Sequence, residues 1–130
     1  MKPLQGDREA VILRKCYGAI VSRHRKKQFI GTPLTLQEFV YLVKQPCCYC
    51  GHTGSNKKYD HKAGGRLHSH VVVRVNGLDR INNDKGYTFS NSISCCKFCN
   101  AAKSVMSVAY FRVWVKQVYD HLQLGREMIR

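Results

Sequence analysis

The sequence predicts an α+β domain in which helices at both ends flank a middle region of short strands. Apolar residues recur at helical spacing over residues 9–27 and again over residues 107–125. Short runs rich in β-branched residues lie between residues 71 and 95, and two pairs of cysteines enclose them. Helices that are segregated from a small group of strands are typical of the α+β class.

The chain of 130 residues is long enough for one domain with one modest hydrophobic core. We expect a basic helical region over residues 1–45, a core over 46–106 and a C-terminal helix over 107–130, all within one domain that spans 1–130. Apolar residues make up 44% of the chain, which excludes a disordered polypeptide. No apolar run approaches the roughly 18 residues of a membrane span, so no membrane partner is expected.

Three helices have clear sequence signals. The first is predicted over Glu9–Lys27, where one face carries Leu13, Cys16, Tyr17 and Ile20. The second is predicted to begin at Thr35, because Glu38 completes a capping box, and to end before Pro46. The last is predicted to begin after Ser107 and to end at Gly125, with an apolar stripe of Phe111, Trp114, Val115, Val118 and Leu122.

The middle of the chain is predicted to hold strands, loops and one further helix. Residues 51–70 are polar and glycine-containing and are interpreted as a basic loop. Strands are predicted at Val71–Val75, Leu78–Ile81 and Ser92–Cys95, with a turn or a kink at Asn76-Gly77. A helix is predicted from Asn100, because residues with good helix propensity follow it.

The charge of the chain is strongly positive and unevenly distributed. Lys and Arg total 22 against 8 Asp and Glu, a net charge of +14. Residues 1–30 contribute +6 and residues 46–76 contribute +4, which predicts binding to a polyanion such as nucleic acid. The candidate phosphate-binding residues are Lys57, Lys58, Lys62 and Arg66 in the basic loop, and Arg23, Arg25, Lys26 and Lys27 at the end of the first helix. The alternative is that these side chains are simply solvated surface charges.

Six of the seven cysteines lie in two tight clusters. An odd number of cysteines and the lack of an apolar leader predict an intracellular chain that is not secreted and uses its thiols to bind metal. Cys47 with Cys50, and Cys96 with Cys99, form two C-x-x-C pairs that suit a structural Zn²⁺ with four thiolates. The neighbouring Cys48 and Cys95 leave other registers open, as do buried free thiols or a redox pair.

A second metal site is predicted from oxygen ligands between the cysteine pairs. Asp79 ends a short extended segment, and Asn100 directly follows the second C-x-x-C. A carboxylate and an amide oxygen can share one Mg²⁺. Each residue also has a simpler interpretation, Asp79 as a turn residue and Asn100 as a helix N-cap.

The segment from Cys47 to Lys103, with its order DRI…KGYT…N…CC..CN..K, resembles the HNH endonucleases, and most of all the phage- and virus-encoded members. The resemblance implies a ββα-metal core with a structural zinc, a catalytic Mg²⁺ or Mn²⁺, and hydrolysis of double-stranded or branched DNA. It also implies that Asp79 and Asn100 bind the catalytic metal and that Asn91 holds the intervening loop by hydrogen bonds to the backbone.

One residue departs from the family pattern. Most members have a histidine general base after the metal-binding aspartate, whereas this chain has Arg80, which cannot accept a proton at neutral pH. Arg80 is instead expected to hold the scissile phosphate. The candidate bases are His68, His70 and Tyr87, or else the proton passes to solvent or to the substrate phosphate.

The function predicted from the sequence is therefore a metal-dependent DNA endonuclease. The first alternative is a zinc-containing nucleic-acid-binding protein that is inactive or weakly active because it lacks the base. A thiol redox protein is a further alternative, which the basic charge makes the weakest. The sequence contains no signal for an oligomeric state.

Overall fold

The structure is a computed structural model that describes residues 5–59 and 71–124. Helix α1 (Gln5–Lys26) leads through a loop to α2 (Leu36–Val43). Thr35 caps α2 through the predicted capping box: its hydroxyl accepts a hydrogen bond from the Glu38 N–H, and its own N–H donates to the Glu38 carboxylate. Both helices are where the sequence predicted them, with α1 beginning four residues earlier than expected.

In the described part of the chain, four short strands form two separate antiparallel hairpins. Strand β1 (Asn56–Tyr59) pairs with β2 (Val71–Val75), and β3 (Gly77–Arg80) pairs with β4 (Ser92–Cys95). The prediction of a loop over residues 51–70 is therefore wrong for β1, whose polar sequence NKKY lacks a β-branched signal. Residues 60–70 lie outside the described part of the chain.

Asn76 lies between the two hairpins, so the predicted Asn76-Gly77 feature is a kink and not a hairpin turn. Its side chain is 1% exposed and makes three hydrogen bonds. The amide nitrogen donates to the carbonyls of Gln45 and His52, both at 2.9 Å, and the amide oxygen accepts from the Ser55 N–H at 3.1 Å. These bonds fix the start of β3 against the segment that carries the first cysteine pair.

After β4 the chain enters α3 (Lys97–Lys103) and then α4 (Val108–Leu122). Helix α3 begins three residues before the predicted start, because the Cys96 sulfur caps it by accepting from the Cys99 N–H at 3.3 Å. Asn100 therefore lies inside the helix, which excludes its interpretation as an N-cap. Ser107 caps α4 as predicted.

The C-terminal end of α4 also differs from the prediction. Gln123, in the left-handed conformation at φ 55°, closes the helix. Gly125, the expected cap, lies outside the described residues. Of the predicted apolar stripe only Phe111 is buried, while Trp114, Val115 and Leu122 are between 39% and 47% exposed.

The hydrophobic core lies between α1, α2 and the hairpins. It is formed by Leu13, Leu34, Phe39, Val43, Val75, Leu78 and Tyr87. A smaller cluster contains Cys47, Cys95 and Cys96. The strand β3 separates the two clusters, because alternate residues of a strand point to opposite faces and Leu78 belongs to the larger cluster.

His24 fastens the end of α1 to the loop between β3 and β4. Its Nδ1 accepts the Tyr87 N–H at 3.1 Å, so Nε2 carries the proton and donates to the Gly31 carbonyl at 3.1 Å. The ring lies so close to Gly86 that a Cβ atom there would meet it at 2.4 Å. Only glycine fits at residue 86, and the loop is held tightly against α1.

Within the described residues, no helix combines the length and the apolar character needed to cross a bilayer.

Candidate active site

The predicted zinc ligands come together. The four sulfur atoms of Cys47, Cys50, Cys96 and Cys99 all lie within 4.8 Å of one another. The first pair follows α2 in a turn closed by the Gly51 N–H, which donates to the Cys47 carbonyl at 2.8 Å. The second pair lies at the capped start of α3. Four convergent thiols are the donor set of a structural, tetrahedral zinc site, so these residues fit that ion.

The two neighbouring cysteines are excluded from this cluster. Cys48 is exposed and Cys95 is completely buried, and neither belongs to the group of four whose sulfur atoms converge. Cys47, one of the four convergent cysteines, has a lowered pKa. Burial opposes its ionisation, but hydrogen bonds from the backbone at Cys96, Cys50 and Tyr49 outweigh that effect and lower the pKa of Cys47 to about 6. The geometry thus favours the 47/50/96/99 register over those that the sequence left open.

Asp79 lies on β3 beside the cysteine cluster and is 6% exposed. The Tyr49 hydroxyl donates to one carboxylate oxygen at 2.8 Å, and the Lys103 ammonium lies 3.2 and 3.3 Å from the two oxygens. Burial, followed by the hydrogen bond to Asp79, raises the pKa of Tyr49, so this phenol stays protonated. The turn-residue interpretation of Asp79 is excluded, because its carboxylate joins β3 to the first cysteine pair and to α3.

Asn100 lies one helical turn before Lys103 on the same side of α3. Its side chain is exposed and has no hydrogen-bond partner among residues 5–59 and 71–124. A carboxylate and an unpartnered amide are oxygen donors that suit Mg²⁺ or Mn²⁺. The donor set therefore fits the predicted ion in chemical type, although Asp79 already has a cationic partner.

The Arg80 side chain is on the opposite face of β3 from Asp79. Its guanidinium donates to the carbonyls of Asn83 at 2.6 Å and Lys85 at 3.0 Å, and it lies 4.6 Å from the centre of the Phe29 ring. The expectation that Arg80 holds a phosphate beside Asp79 does not match this placement. The residue instead braces the β3–β4 loop against the segment that follows α1.

Asn91 holds the same loop from its other end. Its amide oxygen accepts the Asn82 N–H at 2.9 Å, and its amide nitrogen donates to the carbonyls of Asn82 and Gly86 at 3.0 and 2.9 Å. The loop-holding bonds that the resemblance implied for Asn91 are therefore present. They fix the distance between the end of β3, with Asp79, and the start of β4.

Replacing Asn91 with alanine is expected to destabilise the chain by roughly 2–4 kcal/mol. Three hydrogen bonds of about 1 kcal/mol each are lost, and buried backbone groups are left without partners. Urea unfolding measures the change, and hydrogen exchange of residues 81–91 locates it. Ser90→Ala, at the exposed neighbouring residue, is the control and should change stability little. Equal stability of the Asn91 variant and the control would contradict this role.

Tyr87 is the one candidate base in the described part of the chain, and it does not lie beside Asp79. Tyr87 is 6% exposed, is packed on the Arg80 side of β3, and accepts a hydrogen bond from Arg23 at 3.2 Å. His68 and His70 lie outside the described residues, as do the candidate phosphate ligands Lys62 and Arg66. Tyr87 is therefore badly placed to accept a proton from a water molecule that attacks a substrate at Asp79.

The basic candidates in the described part of the chain lie in two places. Arg23, Arg25, Lys26 and Lys27 are exposed at the end of α1, although Arg23 is engaged with Tyr87. On the first hairpin, Lys57 pairs across the strands with Arg74, and both are exposed, whereas Lys58 pairs with Val73 on the core-facing side. Arg74 was not predicted to be a phosphate-binding residue, because its cross-strand partner Lys57 was interpreted as part of a loop.

Two further residues of the site were not assigned from the sequence. Tyr49 occupies one of the two unspecified positions of a C-x-x-C, and nothing in the pattern links it to Asp79, which is 30 residues away. Lys103 stands in the quoted motif, but its role depends on a contact between α3 and β3. The spacing of three residues between Asn100 and Lys103 was the available signal, because it places both on one side of a helix. It does not say what the Lys103 side chain contacts.

The fold has a counterpart of known structure. The rare-cutting HNH restriction endonuclease PacI superimposes with a TM-score of 0.55 over 84% of this chain and 78% of the PacI chain, at 19% sequence identity. The chain has the HNH endonuclease fold. The resemblance inferred from the Cys47–Lys103 motif is confirmed at this level, and so is the α+β class with β3, β4 and α3 as its ββα unit.

One curated relative matches in sequence. Uncharacterized protein R423 of Acanthamoeba polyphaga mimivirus is 32% identical over 93 residues, which are 72% of this chain but 14% of the relative. This HNH-fold chain thus corresponds to a small part of that much longer viral protein. No protein-family model matches the chain.

Proposed function

We propose that this chain is a metal-dependent endonuclease that hydrolyses phosphodiester bonds of double-stranded or branched DNA. The single observation that carries the proposal is the placement, on an HNH fold, of Asp79 and Asn100 beside a cluster of four cysteines. In this proposal the cysteines hold a structural zinc, and Asp79 and Asn100 hold Mg²⁺ or Mn²⁺. A divalent ion there would stabilise negative charge on the phosphate and on the leaving oxygen.

The side chains around the proposed ion have three roles: to bind it, to hold the β3–β4 loop and to accept the proton of the attacking water. Asp79 and Asn100, on β3 and α3, supply oxygen ligands from two elements whose separation is set by the ion pair between Asp79 and Lys103. Asn91 and Arg80 brace the β3–β4 loop from its two ends. The attacking water gives its proton to His68, to His70, to solvent or to the substrate phosphate, since Arg80 accepts no proton and Tyr87 is buried on the other face.

Plasmid nicking with zinc quantification tests the proposal. The zinc-loaded chain is expected to convert supercoiled plasmid to nicked or linear DNA with Mg²⁺ or Mn²⁺, and to stop when EDTA is added for a time too short to remove zinc. Cutting that is independent of added Mg²⁺ or Mn²⁺ would refute the catalytic metal. DNA binding without cutting under any divalent ion would refute the nuclease.

A second candidate function is a zinc-stabilised nucleic-acid-binding module without catalysis. Two observations favour it: Arg80 stands where the family has its base, and the Asp79 carboxylate is already neutralised by Lys103. The net charge of +14 supports nucleic-acid binding under either function. The nicking experiment separates the two candidates, because the module would bind plasmid and leave it intact.

DNA affinity is expected to depend on salt through the exposed face of the first hairpin. Replacing Lys57 and Arg74 together with glutamine should flatten the log–log salt slope by up to about 1.8, since each phosphate contact contributes about 0.9. Fluorescence anisotropy over a salt series measures the slope. Lys58→Gln is the matched control and should change it little, because Lys58 is on the core-facing side. An unchanged slope in the double variant would place the DNA elsewhere, with the end of α1 the next candidate.

A further inference from the structure

Lys103 is the most deeply buried charged side chain among the described residues, with an exposed fraction of 0%. Lysine is almost never fully buried unless it is paired, because removing an ammonium group from water is costly. Its partner is Asp79, whose two carboxylate oxygens lie 3.2 and 3.3 Å from the ammonium nitrogen. The ion pair thus occupies both oxygens of the one acidic group that the proposed function assigns to the metal.

The Lys103 charge affects how a divalent cation can bind at Asp79. Asp79 carries −1 and Lys103 carries +1, whereas Asn100 and Tyr49 are neutral, so Lys103 cancels the charge of the only carboxylate in this group of four. The Lys103 side chain is completely buried, and the Lys103 carbonyl ties the end of α3 to the following turn by accepting the Met106 N–H at 2.9 Å. A divalent cation that approaches Asp79 meets a fixed positive charge next to its ligand.

We propose that Lys103 is a positioning residue that holds the Asp79 carboxylate by an ion pair and, as a resident cation, keeps the affinity of the free chain for divalent ions low. The inference rests on the proposed function, since it concerns the same metal site. Asp79 has two oxygens, of which one also accepts from Tyr49. A metal ion must therefore share the remaining oxygen with Lys103 or displace its ammonium group.

Manganese binding to the zinc-loaded full chain tests the inference directly. Electron paramagnetic resonance of free Mn²⁺ gives the amount bound during a titration. Lys103→Met removes the charge but keeps an unbranched side chain, and it should tighten Mn²⁺ binding by at least about tenfold, because a repulsive charge close to the ion is lost. The double variant Asp79→Asn/Lys103→Met should lose this binding, which assigns it to Asp79.

Lys116→Met is the matched control. Lys116 pairs with Asp120 at 2.6 Å on the exposed face of α4, so this change also removes a lysine from an ion pair but leaves the site untouched. Its Mn²⁺ affinity should equal that of the parent. Zinc content and a cooperative thermal transition show whether each variant is folded. A folded Lys103→Met chain that binds Mn²⁺ no more tightly than the parent would overturn the inference.

Two further measurements keep the inference testable if Lys103→Met does not fold. Lys103→Gln retains a polar group for Asp79 without the charge and should also bind Mn²⁺ more tightly. The parent itself should bind Mn²⁺ only in the millimolar range, and micromolar binding by the parent would overturn the inference. Nicking assays on the same samples distinguish the two proposals: tighter Mn²⁺ binding without cutting refutes the nuclease alone, and cutting with unchanged Mn²⁺ affinity refutes the role of Lys103 alone.

Discussion

Replacing Cys96 with serine is expected to abolish zinc binding and to unfold the chain. Cys96 both contributes a thiol to the four-cysteine cluster and caps α3 through its sulfur. The apparent binding free energy of a structural zinc in small domains is about 10–16 kcal/mol at neutral pH, which is comparable to or larger than the roughly 5–15 kcal/mol by which native domains are stable. Zinc quantification and circular dichroism with and without a chelator measure the two effects.

Cys48→Ser is the control for this prediction. Cys48 is an exposed thiol adjacent to a predicted ligand but outside the cluster, so its replacement should leave one zinc per chain and an unchanged thermal transition. A full zinc content in Cys96→Ser would mean that the ligand register is wrong. Cys95, which is buried next to Cys96, would then be the residue to replace next.

Asp79→Asn is expected to reduce Mg²⁺-dependent cleavage by at least about a hundredfold. The substitution keeps the size of the side chain and removes the only charged ligand of the proposed ion. Without the ion, the transition state loses several kcal/mol of charge stabilisation. Plasmid nicking under a range of Mg²⁺ concentrations measures the loss. Asp84→Asn, in the exposed part of the β3–β4 loop, is the control and should cut like the parent.

The same substitution is also expected to destabilise the fold. It leaves the Lys103 ammonium buried without a counter-ion, and breaking a buried ion pair in this way costs about 3–5 kcal/mol. The double variant Asp79→Asn/Lys103→Met should recover much of that stability in urea unfolding and still fail to cut. Parent-like cutting by Asp79→Asn would show that Asp79 is not the metal ligand. Cutting that returns with stability in the double variant would reduce its role to packing.

Much of the secondary structure could be predicted because its signals are local. The capping box of Thr35 and Glu38, the β-branched run of β2 and the Ser107 cap each act within a few residues, and each is present where expected. Strand β1 had no such signal. Residues 56–59 form a strand because the backbone of β2 pairs with them. Residues 51–70 alone carry no information about that partner.

The resemblance to HNH endonucleases and the pairing of two sulfurs within each C-x-x-C could be predicted from the sequence, because that spacing places two thiols close enough to share one ion. The meeting of the two pairs, with Cys48 and Cys95 outside the cluster, depends on how the whole chain folds. The directions of the Asp79 and Arg80 side chains could not be predicted in this way. Adjacent strand residues point to opposite faces, and which face meets α3 depends on how β3 packs. The Lys103 ion pair and the Tyr49 hydrogen bond were decided in the same way, since each joins residues 24 or more positions apart that meet only when β3, α3 and the first cysteine pair are packed together.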